Sequence, residues 1–285
     1  MGFRTVVVQN RSKLDLKLNY LVCRGEKEVR VFIPEISVLI LESTAISLTS
    51  ALVSQLIKNN VKIIFCDEKH NPESEVVGYH EHYLSSKKIK TQICWQEQTK
   101  GEIWQQIVKD KILKQSVFLK EIGCFKESDM LANYIKQVEF NDVTNREGHS
   151  AKVYFNALWG LDFCRRKDSW TNTALNYGYS ILLSLFNREI AKNGYIAQLG
   201  IWHKNEFNAF NLASDLMEPF RVLVDKIVYL EKEEQNWKNS ILSLLEKQIV
   251  INNKSQFLEN AVSEYCSSVF DSLESGEINL KFYVL

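Results

Sequence analysis

Over the first 80 positions short β-branched runs alternate with turn-forming residues; beyond them apolar residues recur every three or four positions. Phe3 to Val8 opens the first pattern, followed by Lys13 to Leu18, Tyr20 to Cys23, Val29 to Ile33 and Val38 to Leu41. Asn10-Arg11-Ser12, Asn19 and Arg24-Gly25 separate the runs, the punctuation of consecutive antiparallel strands. Ser47 to Asn60 changes period: Leu48, Ala51, Leu52, Leu56 and Ile57 share one face, with Ser47 or Thr49 as cap, which predicts an amphipathic helix. Val61 to Phe65 returns to strand, Asp67 to Ser74 reads as a loop around Asn71-Pro72, and Val76 to Tyr79 as a last strand.

From about residue 92 the period is helical throughout. Ile103, Ile107, Leu113 and Val117 form a long stripe, and Met130, Leu131, Tyr134, Ile135 and Val138 a shorter one. Further helices are predicted at about 146–160, 174–192, 215–232, 235–250 and 256–273. The fold class that follows is α+β: a small N-terminal antiparallel β domain with one helix over residues 1–79, a linker over 80–91, and a larger all-helical domain over 92–285. Within the linker, His80 and His82 would share one strand face and could hold a metal, but no third ligand is near in sequence and a solvated junction is the better reading.

Composition narrows the class without choosing a function. With 45% hydrophobic and 25% charged residues the chain is an ordinary folded protein. Its 35 basic and 35 acidic residues cancel, so any nucleic-acid surface must be a local patch. The six cysteines are scattered without a C-x-x-C pair, as expected of free thiols in a reducing compartment. Neither a signal peptide nor an apolar run of about 18 residues is present, so a cytoplasmic, membrane-free protein is expected.

Chemistry concentrates between residues 144 and 221. Thr144-x-x-Glu147 fits a capping box, yet Glu147, Ala151, Tyr154, Phe155 and Leu158 fall on one helix face, which directs the carboxylate toward the interior, where it needs a cation or donor. Arg165-Arg166-Lys167 is either solvated surface or a set of phosphate contacts. Tyr177 and Tyr179, either side of Gly178, read as core packing. His203 is a core histidine or a ligand, and Glu218 either pairs with Arg221 one turn on or binds a cation. Pro219 irregularises the backbone beside that carboxylate. One imidazole and two carboxylates suit Mg²⁺ or Mn²⁺ and leave open positions for a phosphate, which points to nucleic acid. There is no Gly-rich phosphate loop, G-x-S-x-G or H-E-x-x-H to suggest other chemistry.

Three blocks, Asn145 to Ala151 with Tyr154-Phe155, Leu175-x-Tyr177-Gly178-Tyr179-x-x-Leu182-Leu183, and His203 with Ala213 to Arg221, resemble in order and spacing the CRISPR-associated integrase of spacer acquisition. Phe3 to Val8, Ser12-Lys13-Leu14 and Phe65-Cys66-Asp67 are similar to the branch found in type II-A systems. The resemblance implies metal ligands Glu147, His203 and Glu218, with Asp215 either supporting them or starting a helix; Arg146, Arg165, Arg166 and Arg221 are the leading candidates for positioning phosphate. It implies Mg²⁺ or Mn²⁺ and attack of a 3′-hydroxyl on a repeat-end phosphodiester. Its partners would be double-stranded DNA (spacer precursor and CRISPR repeat), a second copy in a homodimer, and a small second adaptation protein bridging two dimers. The type II effector nuclease and a ring-shaped DNA-end-binding accessory protein complete the set. The alternatives are a structure-specific metal-dependent nuclease using water, and a non-catalytic DNA-binding scaffold in which Glu147 is a cap.

Overall fold

The apolar runs of residues 4–48 fold as strands that pair in two sheets. The computed structural model describes residues 4–76, 78, 84–231 and 236–285. It divides into two units, 1–81 and 82–285. The His80 to Tyr83 junction lies outside the described residues, as do 77 and 79 of the expected last strand.

The N-terminal unit comprises β1 (Arg4–Val8), β2 (Ser12–Lys17), β3 (Tyr20–Arg24), β4 (Glu28–Phe32), β5 (Ile36–Leu41), β6 (Ile46–Leu48), α1 (Ser50–Lys58), β7 (Lys62–Cys66) and β8 (Pro72–Glu75). One sheet has the order β4-β3-β2-β6, the other β1-β5-β7-β8. Leu18 and Asn19 both have positive φ (48° and 63°), the two-residue turn that matches strand twist and sets the antiparallel β2–β3 register. The expected antiparallel pairing holds for β2–β3, β3–β4 and β7–β8, whereas β1–β5, β5–β7 and β2–β6 run parallel. α1 supplies the crossover that a parallel β5–β7 pair requires. Among the described residues the last strand of this unit is Pro72–Glu75, overlapping the end of the stretch that reads as a loop. Thr49 caps α1 by accepting from the Leu52 N–H, and Leu52 and Leu56 join Leu14, Leu21, Leu39, Leu41 and Ile63 in one core.

The second unit runs α2 (Ser85–Ile93), α3 (Glu97–Glu121), α4 (Phe125–Lys136), α5 (Arg146–Trp159), α6 (Trp170–Lys192), α7 (Asn211–Met217), α8 (Arg221–Leu230), α9 (Trp237–Leu242), β9 (Gln248–Ile251), β10 (Lys254–Phe257), α10 (Leu258–Ser275) and β11 (Tyr283–Val284). Residues 85–91, read as linker, are helical. The unit is mostly helical but carries a β10-β9-β11 antiparallel sheet where a helix to 250 was expected. Asn252 and Asn253, both at positive φ, turn β9 into β10. α3 lies against α4, α5, α8 and α10. Its buried face carries Ile103, Trp104, Ile107, Ile112 and Phe118, whereas Leu113 is exposed and Lys111 and Lys114 are buried in its stead. Gly178 lets α6 approach α8: a Cβ there would stand 2.4 Å from Val224 Cγ1. Among the described residues no helix is long and apolar enough to cross a membrane.

Candidate active site

The first turn of α5 decides what Glu147 does. Asn145, at φ 51°, caps the helix by accepting from the Gly148 N–H, and the buried Asp142 accepts from the N–H groups of Arg146 (2.8 Å) and Glu147 (3.0 Å). Thr144 instead donates its hydroxyl to the Gln137 carbonyl, so the capping box is not formed. The Glu147 carboxylate is thereby free of capping duty and accepts from the ammonium of Lys111 on α3.

Glu218 reaches the same ammonium from the junction of α7 and α8. α7 tightens into a 3-10 turn over Glu218–Phe220, where Pro219 supplies no N–H, and α8 then continues from Arg221. Lys111 Nζ donates to Glu218 Oε2 (2.5 Å), and Arg221 Nε donates to Glu218 Oε1 (2.8 Å). Burial opposes ionisation of Glu218, but Arg221 and Lys111 outweigh it and hold the carboxyl down at about 2. Burial likewise presses Lys111 toward neutrality, and Glu218 with Glu147 more than reverses it, raising the ammonium above its ordinary value.

His203 is set by Asp215. That fully buried carboxylate accepts from the backbone N–H of Ile201 (2.7 Å), Trp202 (2.9 Å) and His203 (3.2 Å), and from His203 Nδ1 (2.5 Å). Gly200 permits the wrap, since a Cβ there would lie 2.7 Å from Asp215 Oδ2. With Nδ1 engaged, Nε2 is the ring nitrogen left for other work. The Asp215 hydrogen bond is the main reason the imidazole titrates above its usual value; burial opposes it, and the charges of Asp215, Glu218 and Glu147 add to it. Trp104 of α3 meets the imidazole edge-on and stacks on Trp202. An open cleft of about 730 Å³ adjoins His203, bordered by Lys100, Lys204, Phe207 and Asn208.

The structure therefore brings Glu147 and Glu218 onto one cation, with His203 near enough to feel both charges. Among the described residues no three His, Cys, Asp or Glu side chains stand together as a metal site. Two of the expected ligands share a lysine and the third leans on Asp215. The donor set still fits a divalent ion: two carboxylate oxygens converge on a single cationic atom, and the imidazole is pre-oriented with one nitrogen unused. Of the expected phosphate contacts, Arg221 lies over the Tyr179 ring (4.7 Å) while pairing with Glu218. Arg165 sits over the same ring and donates to Asn172 and Asn176. Arg146 lies over Tyr134, and Arg166 is exposed.

Residues 5–256 match the family model of the CRISPR associated protein Cas1. The chain belongs to the Cas1 family. A CRISPR-associated endonuclease Cas1 of Neisseria meningitidis serogroup C (strain 8013) is 32% identical over 251 residues, 88% of this chain and 83% of that one. One from Francisella tularensis subsp. novicida (strain U112) is 24% identical over 95% of each chain. Among solved structures, a Cas1 protein from Thermotoga maritima superposes with a TM-score of 0.75 at 15% identity, covering 95% of this chain and 97% of that one. A casposase bound to integration product gives 0.78 at 19% identity, covering 98% and 92%. A Cas6-RT-Cas1–Cas2 complex gives 0.76 at 16% identity over 98% of this chain, which spans only 35% of that longer one. These structural likenesses establish the α+β Cas1 fold.

Lys111, Asp142 and Asp225 were not singled out by sequence reasoning. The signal for Lys111 is its place four residues after Ile107 on the buried stripe of α3, where a lysine requires anionic partners. Asp225, buried, accepts from the Tyr179 hydroxyl, and burial lifts its carboxyl to about 6 against the opposing pull of Tyr179 and Arg221.

Proposed function

We propose that the chain is a divalent-metal-dependent DNA integrase and endonuclease that joins a 3′-hydroxyl of a short duplex to a phosphodiester at the end of a CRISPR repeat. The observation that carries this reading is the convergence of Glu147 and Glu218, 71 positions apart in the sequence, on one buried cation beside an oriented histidine. Glu147, His203 and Glu218 would hold Mg²⁺ or Mn²⁺, which when bound supplies Lewis-acid polarisation of a phosphate. Asp215 fixes the imidazole tautomer and aim through Nδ1, and Arg221 keeps Glu218 ionised. Arg166, exposed, is the freest of the four arginines to meet DNA phosphate; Arg146, Arg165 and Arg221 would do so by turning from the aromatic rings they cover.

Family membership supports DNA as substrate, and the Cas1–Cas2 complexes among the structural relatives support a small second adaptation protein as partner. Joining both ends of one fragment needs two sites at fixed spacing, which favours a homodimer formed through residues 1–79 and bridged by that partner. The effector nuclease and the ring-shaped end-binding protein belong to the type II-A reading, which rests on the N-terminal motifs. Such work is cytoplasmic.

The test is incubation of a labelled 3′-OH duplex with repeat DNA while the metal ion is varied. Joined product in Mn²⁺ or Mg²⁺ supports integration, cleaved ends without joining support the hydrolytic alternative, and neither product in any metal contradicts both.

A further inference from the structure

Lys111 already engages the two carboxylates expected to hold the metal. Glu147 and Glu218 carry two negative charges, and Lys111 and Arg221 two positive ones, in a pocket where Lys111 and Glu218 are buried. A divalent ion taken up by Glu147 and Glu218 would have to share both carboxylates with a buried ammonium already bonded to them. One cation must give way. Arg221 engages Glu218 through Oε1 and lies over Tyr179. Lys111 occupies Glu218 Oε2 and Glu147 Oε1 together, the atoms a bridging ion would take. Its ammonium rides on a flexible four-carbon stem, whereas the guanidinium of Arg221 is a planar fork held on two sides.

We propose, building on the metal-site reading above, that Lys111 is a built-in occupant of the cation position. It holds Glu147 and Glu218 at ligand spacing while no metal is bound, and it must withdraw for a divalent ion to bind. A withdrawn ammonium loses two carboxylate partners and regains an anionic one when a DNA phosphate lies at the site. Metal therefore binds free protein weakly and DNA-bound protein more tightly, and DNA affinity rises with metal by the same factor. The device keeps the carboxylates preorganised in the free protein and restrains metal loading until nucleic acid is present.

The experiment measures Mn²⁺ binding by the loss of the free-ion paramagnetic resonance signal, with and without a duplex blocked at its 3′ ends, so that no reaction occurs. The variants are Lys111→Met, Lys111→Gln and Lys111→Arg. The expected result is binding at least about tenfold tighter in Lys111→Met and Lys111→Gln than in wild type without DNA, with the enhancement by DNA reduced. Lys111→Arg keeps the charge and should remain weak. Lys111→Gln retains a neutral donor for the carboxylates, so it serves if the methionine variant fails to fold without metal. Equal or weaker Mn²⁺ binding in the folded neutral variants would overturn the proposal, assigning Lys111 a supporting role instead. The parent reading is tested separately by Glu218→Gln: if wild type and the neutral variants bind Mn²⁺ and Glu218→Gln does not, the metal site stands whatever Lys111 does. If Glu218→Gln binds as well as wild type, the site itself is elsewhere.

Discussion

Helix α3 carries two buried lysines with carboxylate partners at neighbouring positions, and the balance between burial and pairing falls on opposite sides in the two sets. Lys114 pairs with Asp110 one turn back on the same helix, under the ring of Tyr283, 3.9 Å from the ammonium. There burial prevails: the Asp110 carboxyl is raised and the Lys114 ammonium lowered, both toward neutrality. Lys111, next to Asp110, draws its carboxylates from α5 and from the α7–α8 junction, and here the charges prevail: Lys111 is raised and Glu218 lowered. A local pair that drifts toward neutrality is an interior packing solution. The other set is gathered from three separate elements and held ionised, and its two carboxylates are those of the candidate site.

The largest effect should come from cutting the gathered set. Glu218→Ala leaves the buried Lys111 and the partly exposed Arg221 with one carboxylate fewer, and should lower stability by roughly 3–5 kcal/mol in denaturant titration while abolishing Mn²⁺-dependent joining. Next is the support of the histidine. Asp215→Asn should reduce joining by about 10–100-fold, and by removing the main cause of the elevated imidazole it should move the His203 titration to lower pH, read by NMR.

Much of this architecture was legible in the sequence, and the exceptions share a physical origin. The hairpin strands showed in β-branched runs and Asn turns, and α5, α6 and α10 in their period. β9 did not, because Gln248-Ile-Val-Ile251 follows a helical pattern and a three-residue apolar run fits either period; Asn252-Asn253 was the cue. The two carboxylates of the candidate site that meet on Lys111 were both named from the sequence, Glu218 through the irregular backbone that Pro219 implies. Lys111 was hidden because lysine in a helix is ordinarily solvated, and only the three-dimensional meeting of α3, α5 and the α7–α8 junction gives it partners. The parallel strand pairs were hidden for the same reason, register across a crossover being a tertiary property.

A smaller effect sharpens the contrast through pH. The folded protein holds the Asp225 proton up to about 6, whereas an unfolded aspartate releases it near 3.8, so this group's contribution to stability is present at low pH and is lost as pH rises through that window. Glu218 acts oppositely in a lower window: its contribution is full above the ordinary carboxyl range and is lost as pH falls toward about 2. Asp225→Asn should remove the upper dependence from urea midpoints, a change of a few kcal/mol at most between pH 4 and 7 by order of magnitude. Smallest of all is the paired replacement Asp110→Asn with Lys114→Met, which should alter stability by no more than about 1–2 kcal/mol and leave joining at the wild-type rate.

The most direct test of the central claim is Mn²⁺-dependent joining by Glu147→Gln. Its side chain is 30% exposed, and the cap of α5 rests on Asn145 and Asp142, so the change removes one charge without removing a cap or opening a cavity. The expected result is a folded protein, verified by circular dichroism, that neither binds Mn²⁺ at this site nor joins the labelled duplex to repeat DNA. A folded Glu147→Gln protein that joins at the wild-type rate would contradict it.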